Sequence, residues 1–507
     1  MLLRSLIPTL CLAAAAPTAG ATDVLLRGAT VYDGSGAPGR VADVRIHGSH
    51  ITAVGSPLEP RRGEAVREVK GLALAPGFID MHSHGDRGLL EDRDAGAVTR
   101  QGATTILVGQ DGDAPFPLAD WYAKLEKTPV AINVASMAGH ATLRAQAMGK
   151  DLYRPSTAAE LATMQRLLGQ ELRSGAYGLS TGLEYEAAHF STTEEVIELS
   201  KVAARAHGFY ISHVRDEADG VFDAFAELVR IGREAHLPVE ITHIKLSSPP
   251  HWHEAAARMP AVFAEAQREG VTLWADVYPY TYWHSTIRVI VPDRDFFNPA
   301  KVEAGFVANG GPAAIRLAHY APDPSVAGKN LAEIAAIWKL TPVETYMRIV
   351  RATEAEVGSE ESLEDVIGTS MVEDDVRWFV AHPDIAFCTD GELHGAHPRG
   401  AGTFPRILGR YVREQHALTL ESAIHKMSGI PAARLGLKDR GRIAPGAVAD
   451  LVLFDPATVL DLATVEHPDT PPVGIPAVMV HGEWVVDGGR VTGLHPGRVL
   501  RHASAAR

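Results

Sequence analysis

The chain is poor in cysteine, with only Cys11 and Cys388 in 507 residues. Two thiols so far apart cannot build a disulfide framework or a cysteine-rich metal knuckle, which excludes the small stapled folds. Long apolar runs are also scarce. After the first 21 residues none reaches the roughly 18 uninterrupted apolar residues of a membrane-spanning helix. Positive charge is in deficit, with Lys+Arg 48 against Asp+Glu 62 and a formal charge of −14, so a nucleic-acid backbone or an anionic membrane surface is an unfavourable partner. No G-x-G-x-x-G run follows the early β-like segments, which removes the usual dinucleotide fingerprint of an open doubly wound sheet.

What remains is an ordinary globular composition, 46% hydrophobic and 22% charged, with a large core. The length suits one large α/β barrel with an accessory domain, or two to three medium domains. Residues 1–21 carry Arg4, an apolar stretch from Leu6 to Ala16 and an Ala19-Gly20-Ala21 end, the pattern of a secretory signal peptide. The mature chain would start at Thr22 without Cys11, and the expected location is periplasmic or secreted.

From Asp23 to about Lys70 short β-like runs alternate with Gly-rich turns such as Asp33-Gly34-Ser35-Gly36. The same texture returns after residue 436, where Val478 to Val486 reads as a hairpin around His481-Gly482. Together, 22–70 and 436–507 predict one small β-sandwich built from both chain ends. The middle, 71–435, alternates apolar β-branched runs with segments of helical period, the βαβα signature. Its candidate strands are Leu72 to His84, Ala103 to Gly109, Val130 to Ser136, Ala176 to Thr181, Phe209 to Arg215, Pro238 to Lys245, Val271 to Tyr280 and Ile385 to Asp390. Eight is the number of a (β/α)8 barrel, against which the open doubly wound sheet competes. Thr157 with Glu160 and Thr192 with Glu195 have the spacing of capping boxes. An insertion at about 281–384 is read with helices over Pro312 to Tyr320, Asn330 to Trp338 and Pro342 to Thr353, placed to lid a barrel mouth.

Histidines and acids recur at the C-terminal ends of these strands, where a barrel builds its active site. In Asp80-Met81-His82-Ser83-His84 the strand period of two points both imidazoles one way, so they can reach one cation. His213 and His243 end two successive strands, and Asp390 ends the last. Four histidines and a carboxylate suit zinc. His140 and Arg144 are read as either supporting the ligands or lining the mouth, His394 and His397 as rim or supporting residues, and His251 and His253 as loop residues.

Five stretches carry a family resemblance: Ala75-Pro76-Gly77-Phe78-Ile79-Asp80-Met81-His82-Ser83-His84, Gly178-Leu179-Ser180-Thr181-Gly182-Leu183-Glu184-Tyr185, His213-Val214-Arg215-Asp216-Glu217, Asp276-Val277-Tyr278-Pro279-Tyr280 and His397-Pro398-Arg399-Gly400. The sequence resembles the amidohydrolase superfamily, and within it the N-acyl-D-amino acid deacylases (D-aminoacylases), over nearly the whole mature chain. The resemblance implies a (β/α)8 barrel with a small β-sandwich, and one or two Zn2+ ions, with His82 and His84 at one position and His213 and His243 at the other. It also implies Asp390 as catalytic carboxylate and metal ligand, and Tyr185, Lys245, Tyr280, Ser285 and Arg399 as substrate contacts. One departure stands out. Similar enzymes carry a bridging cysteine within Gly-Asn-Cys-Gly, whereas this chain reads Gly109-Gln110-Asp111-Gly112, which makes Asp111 the candidate bridge. The expected activity is zinc-dependent hydrolysis of an N-acyl-D-amino acid or a dipeptide-like small molecule. The competing readings are a cyclic-amide hydrolase and a non-catalytic barrel. Oligomeric state is not read.

Overall fold

Apolar residues from the two ends of the chain meet in a single sheet. The computed structural model describes residues 23–353 and 363–503, so the segment read as an export signal lies outside the described residues. The N-terminal part gives β1 (Asp23–Val31), β2 (Arg40–His47), β3 (His50–Gly55), β4 (Ala65–Glu68) and β5 (Ala73–Pro76). The middle gives β6 (Phe78–Asp80), β7 (Ala103–Val108), β8 (Asn133–Ser136), β9 (Ala138–Gly139), β10 (Gly178–Gly182), β11 (Phe209–His213), β12 (Val239–Ile241) and β13 (Leu273–Val277). There follow β14 (Tyr282–Ser285), β15 (Ile315–Tyr320), β16 (Glu364–Thr369) and β17 (Ile385–Phe387). The end supplies β18 (Leu451–Phe454), β19 (Ala477–Val480), β20 (Glu483–Asp487) and β21 (Arg490–Val491).

The terminal strands form a nine-stranded sheet in the order β21-β20-β19-β18-β5-β1-β2-β3, with β4 alongside β1. It has its own apolar cluster, in which Leu26, Val44, Ile46 and Leu74 pack with Leu451 and Met479. The β19–β20 hairpin turns at His481 and Gly482, both at positive φ (49° and 82°), as a tight primed turn requires.

The middle strands pair in parallel, as β6-β7-β8 and as β9-β10-β11-β12-β13-β17. Strands covered on both faces show no alternation of apolar and charged residues, and Ala103–Val108, apolar apart from Thr104 and Thr105, is wholly buried. Helices such as Ala158–Ser174, Thr193–Arg205 and Val221–Ala235 lie between them in sequence. Thr157 and Glu160 form a complete capping box, with each side chain bonded to the other's backbone N–H. At Thr192 only half of the motif forms, because the Glu195 carboxylate turns inward to His140 and Arg144.

Two expectations need correction. The stretch Leu72 to His84 is two strands: the Gly77 N–H donates to Asp450 of the terminal sheet, the Phe78 N–H to Gly102 of the parallel one, and the chain changes sheets between them. Gly77 is needed there, since a Cβ would come within 2.2 Å of the Thr104 side chain. Pro312 to Tyr320 is a single 3-10 turn, Pro312–Ala314, followed by β15 rather than a helix. Its residues pair with β16 in a three-stranded sheet ordered β14-β16-β15, where Ile315 and Leu317 enter the insertion's own core. The helices Leu331–Trp338 and Pro342–Ala352 form where expected, each behind a full capping box. No helix among the described residues is long and apolar enough to cross a membrane.

Candidate metal centre

The C-terminal ends of the parallel strands converge on one cavity of about 1660 Å³. The first and last of these strands are knitted together there, since the Asp390 N–H donates to the His82 carbonyl at 2.9 Å and the His84 N–H to the Gly391 carbonyl at 2.9 Å. Buried Asp80 adds a brace, accepting from the Thr389 N–H at 2.8 Å and its hydroxyl at 2.5 Å. Burial pushes the Asp80 carboxyl up to about 7 against these hydrogen bonds.

Within this frame the nitrogens Nε2 of His82 and His84 lie 3.2 Å apart, and each is within 3.3 Å of Asp390 Oδ1. Asp111 faces the same group, with Oδ2 3.4 Å from His84 Nε2 and Oδ1 3.4 Å from His243 Nε2. His213 Nδ1 stands 3.2 Å from His243 Nε2, so all six residues expected as ligands meet in one cluster. Three of them, Asp111 (φ 54°), His243 (φ 34°) and Asp390 (φ 48°), hold the left-handed backbone conformation that side chains with a Cβ rarely adopt. Such strain persists only where the surroundings over-determine it, and it gathers at functional sites.

Neighbouring polar groups fix which nitrogen each ring presents. The Thr242 hydroxyl donates its single proton to Asp276 (3.1 and 3.2 Å), so it accepts from His82 Nδ1 at 2.5 Å and leaves Nε2 as a bare lone pair facing the cluster. Asp276 also accepts from the His243 N–H at 2.5 Å, which pins that strained residue. Glu184 takes the Nε2 side of His213 at 2.7 Å, so Nδ1 is the face His213 offers.

Burial disfavours charge here and wins at His82, whose pKa it lowers, but at Asp111, Asp390, His84 and His243 the opposite charges beside them win. Asp111 and Asp390 are held well below the usual carboxylate range by the histidines and, for Asp390, by Arg399. Despite burial, the same carboxylates help push His84 up to about 9 and His243 up to about 10. Protons here do the work of a cation, and a divalent ion would displace them. The fit to a metal rests on two further observations. Asp111 Oδ1 is buried with no hydrogen-bond partner. Ligand atoms from His82, Asp111, His243 and Asp390 all lie within 4.8 Å of one another. The mixed nitrogen and oxygen set suits zinc.

Of the expected substrate contacts, Tyr185, Ser285, Lys245 and Arg399 line the cavity, and Tyr280 does not. Pro279 lies in a tight turn in which the Tyr280 N–H donates to the Tyr278 carbonyl, and the Tyr280 hydroxyl then points to Pro398 and Asp461, each at 3.5 Å. Tyr278 takes its place. It lines the cavity with a buried hydroxyl that has no partner, and Arg399 sits 4.8 Å above its ring. Lys245 is heavily engaged, donating to both oxygens of Glu217 at 2.8 Å and lying 2.7 Å from His243 Nδ1. Arg399 Nη1 meets Asp390 Oδ2 at 2.5 Å, while its Nε is buried without a partner.

His140 and Arg144 lie outside the cavity wall, in a buried network with Glu195 at 2.8 and 2.6 Å that braces helices. His397 accepts from the Arg399 N–H and bonds the Tyr282 carbonyl, tying the start of the insertion to the site. His394 is a rim residue 3.2 Å from Asp92. His251 and His253 pair with Glu254 and Asp374 near the surface. Sequence reasoning missed Thr242, Asp276, Glu184 and Tyr278; their signal was an acid or hydroxyl buried at a strand end next to a histidine or tyrosine already singled out.

Residues 65–486 match the model of the amidohydrolase family. The chain is 37% identical to a D-aminoacylase of Alcaligenes xylosoxydans xylosoxydans, over 95% of this chain and 98% of that protein. It is 36% identical to an N-acyl-D-glutamate deacylase of the same organism, over 94% and 96% of the two chains. Among solved structures, an N-acyl-D-glutamate deacylase from Bordetella bronchiseptica, complexed with zinc and a phosphonate mimic of the tetrahedral intermediate, superposes with a TM-score of 0.82 at 34% identity, covering 95% of this chain and all of that one. With the histidine and carboxylate cluster at the ends of its parallel strands, the chain belongs to the amidohydrolase family.

Proposed function

We propose that this protein hydrolyses the amide bond of N-acyl-D-amino acids in a zinc-dependent reaction, releasing a carboxylic acid and the free D-amino acid. The observation that carries the reading is the convergence of His84, His213, His243, Asp111 and Asp390 on a cavity, with His82 buried against them, that also presents Arg399, whose Nε has no partner. Relatives of this length and identity that act on N-acyl-D-amino acids support it. His82, His84, Asp111, His213, His243 and Asp390 would hold one or two zinc ions, which supply a Lewis acid for the amide carbonyl and lower the pKa of water.

The chain's own groups do the rest. Asp390 Oδ1 faces the histidine cluster and Oδ2 faces Arg399, so the carboxylate stands between the metal ligands and the substrate space. From there it takes a proton from the attacking water and returns it to the amide nitrogen, which must leave as a neutral amine. Arg399 presents a planar donor fork to the substrate carboxylate, and Tyr185, Ser285 and Tyr278 add hydroxyls along the same wall. Lys245, held in place by Glu217, adds positive charge to the same wall.

We further read the parallel strands as a closed (β/α)8 barrel. The bridge between Ser83 and Gly391, next to the first and last strands, supports closure. The nine-stranded terminal sheet is read as the accessory β-sandwich, and residues 1–21 as an export signal that delivers the enzyme outside the cytoplasm. Amine release by the zinc-loaded mature chain on paired N-acetyl-D- and N-acetyl-L-amino acids tests the activity. Turnover confined to the D series and lost in Asp390→Asn is expected; turnover of neither series, with zinc bound, overturns it.

A further inference from the structure

The same cavity distinguishes between the relatives' substrates. Eleven carboxylate side chains line it against four cationic ones, Arg87, Lys245, Lys301 and Arg399. None of the four is free to take up a carboxylate on the substrate's side chain. Arg87 donates to Glu392 at 3.0 Å and to Asp113 at 3.4 Å. Lys301 lies 2.5 Å from Asp293 and 3.1 Å from Asp295. Lys245, held by Glu217 at 2.8 Å, and Arg399, which meets Asp390, are both assigned to the end of the substrate that carries its own α-carboxylate. Among the described residues of the wall no cation is left for a second carboxylate. Bound zinc would offset the charge of Asp111 and Asp390 alone, leaving Asp113, Asp216, Asp219, Asp365 and Glu392 among the outer acids.

The insertion supplies the opposite character. Trp283, Val289, Ile290 and Val291 form one apolar side of the cavity. The helix Pro299–Ala308 faces it with Ala304, Gly305 and Ala308. At Gly305 a Cβ would come within 2.2 Å of the Ile290 carbonyl, so helix and apolar segment are packed as closely as backbone allows. An uncharged side chain finds dispersion contacts there and loses nothing to desolvation. A carboxylate would be desolvated among like charges with no partner, which is costly.

We infer that the enzyme selects N-acyl-D-amino acids with neutral, apolar side chains and rejects N-acyl-D-glutamate and N-acyl-D-aspartate, with the Glu392–Arg87 pair holding back the cation that would otherwise admit them. This rests on the deacylase reading above. The test is kcat/KM of the zinc-loaded enzyme for N-acetyl-D-leucine, N-acetyl-D-methionine, N-acetyl-D-glutamate and N-acetyl-D-aspartate. A preference of about 100-fold or more for the neutral pair is expected. Equal or better turnover of the acidic pair overturns the selectivity while leaving the deacylase reading intact. Turnover of none of the four, at full zinc occupancy, removes the deacylase reading and the selectivity with it. The double variant Glu392→Gln/Asp113→Asn frees Arg87 and is expected to raise kcat/KM for N-acetyl-D-glutamate by about tenfold or more, with N-acetyl-D-leucine little changed. An unchanged ratio of the two substrates in a folded, zinc-loaded variant overturns the role given to Glu392 and Arg87.

Discussion

The Thr242 hydroxyl is one atom on which the metal centre depends without being a ligand. It is 1% exposed, accepts a hydrogen bond from His82 Nδ1–H at 2.5 Å and donates its own to Asp276. Thr242→Val removes only that oxygen and keeps the branched shape. Asp276 retains the His243 N–H at 2.5 Å, but the His82 Nδ1–H, 0% exposed as a residue, loses its acceptor. Leaving one buried donor unpaired costs about 1–3 kcal/mol in the metal-free protein. The tautomer is also no longer fixed, so presenting a bare Nε2 to zinc takes free energy. Lost support of this kind weakens metal affinity by about 10- to 100-fold, or about 1.4–2.8 kcal/mol. Chelator competition gives the zinc affinity, and denaturant midpoints of the metal-free and zinc forms give the stability. Thr242→Ser keeps the hydroxyl and is expected to retain most of the affinity that Val loses. If Val binds zinc as tightly as the native residue, or Ser fails as badly as Val, the hydroxyl relay is wrong.

Three further outcomes follow from particular contacts. Arg399→Lys keeps the charge but loses the planar fork and is expected to lower kcat/KM by about 10- to 100-fold, read by amine release, with zinc content unchanged. Although burial opposes it, the Glu195 carboxyl is lowered from 4.5 to about 2 by His140, Ser156 and Arg144. Its contribution is therefore fully present above pH 4.5 and lost as pH falls through about 2, up to about 3 kcal/mol. Urea unfolding across this window should show a shallower acid limb in Glu195→Gln. Gly77→Ala forces a methyl to within 2.2 Å of Thr104 at the crossing between the two sheets and should cost about 1–3 kcal/mol in the denaturation midpoint, whereas Ala at exposed Gly88 (φ 78°), where a Cβ would meet nothing within 4 Å, costs only its backbone strain.

The ligand set was legible because it follows from local rules. His82 and His84 flank Ser83 just beyond the end of β6, where its bridge to Gly391 holds both beside one point, and His213, His243 and Asp390 lie at or just past the ends of buried strands. The same rules explain the misses. Tyr278 and Tyr280 share a parity, so alternation alone cannot choose between them; the tight turn at Pro279, beyond the strand end, does. Ile315 to Tyr320 lies in a stretch with a helix-like start at Pro312, but pairing with β16, more than 40 residues away, makes it a strand.

By itself, then, the sequence determined which chemistry is available: strand-end imidazoles and carboxylates, a net negative charge, and a βαβα order with β-rich ends. Periodicity and composition are properties of neighbours along the chain. Only the tertiary structure decided how those groups are used. Thr242 fixes a tautomer for a histidine 160 residues away, Glu195 leaves its cap for His140 and Arg144, and the cations of the cavity are each paired with a carboxylate. Such pairings are set by distance in space and by shared burial, and a one-dimensional pattern carries neither.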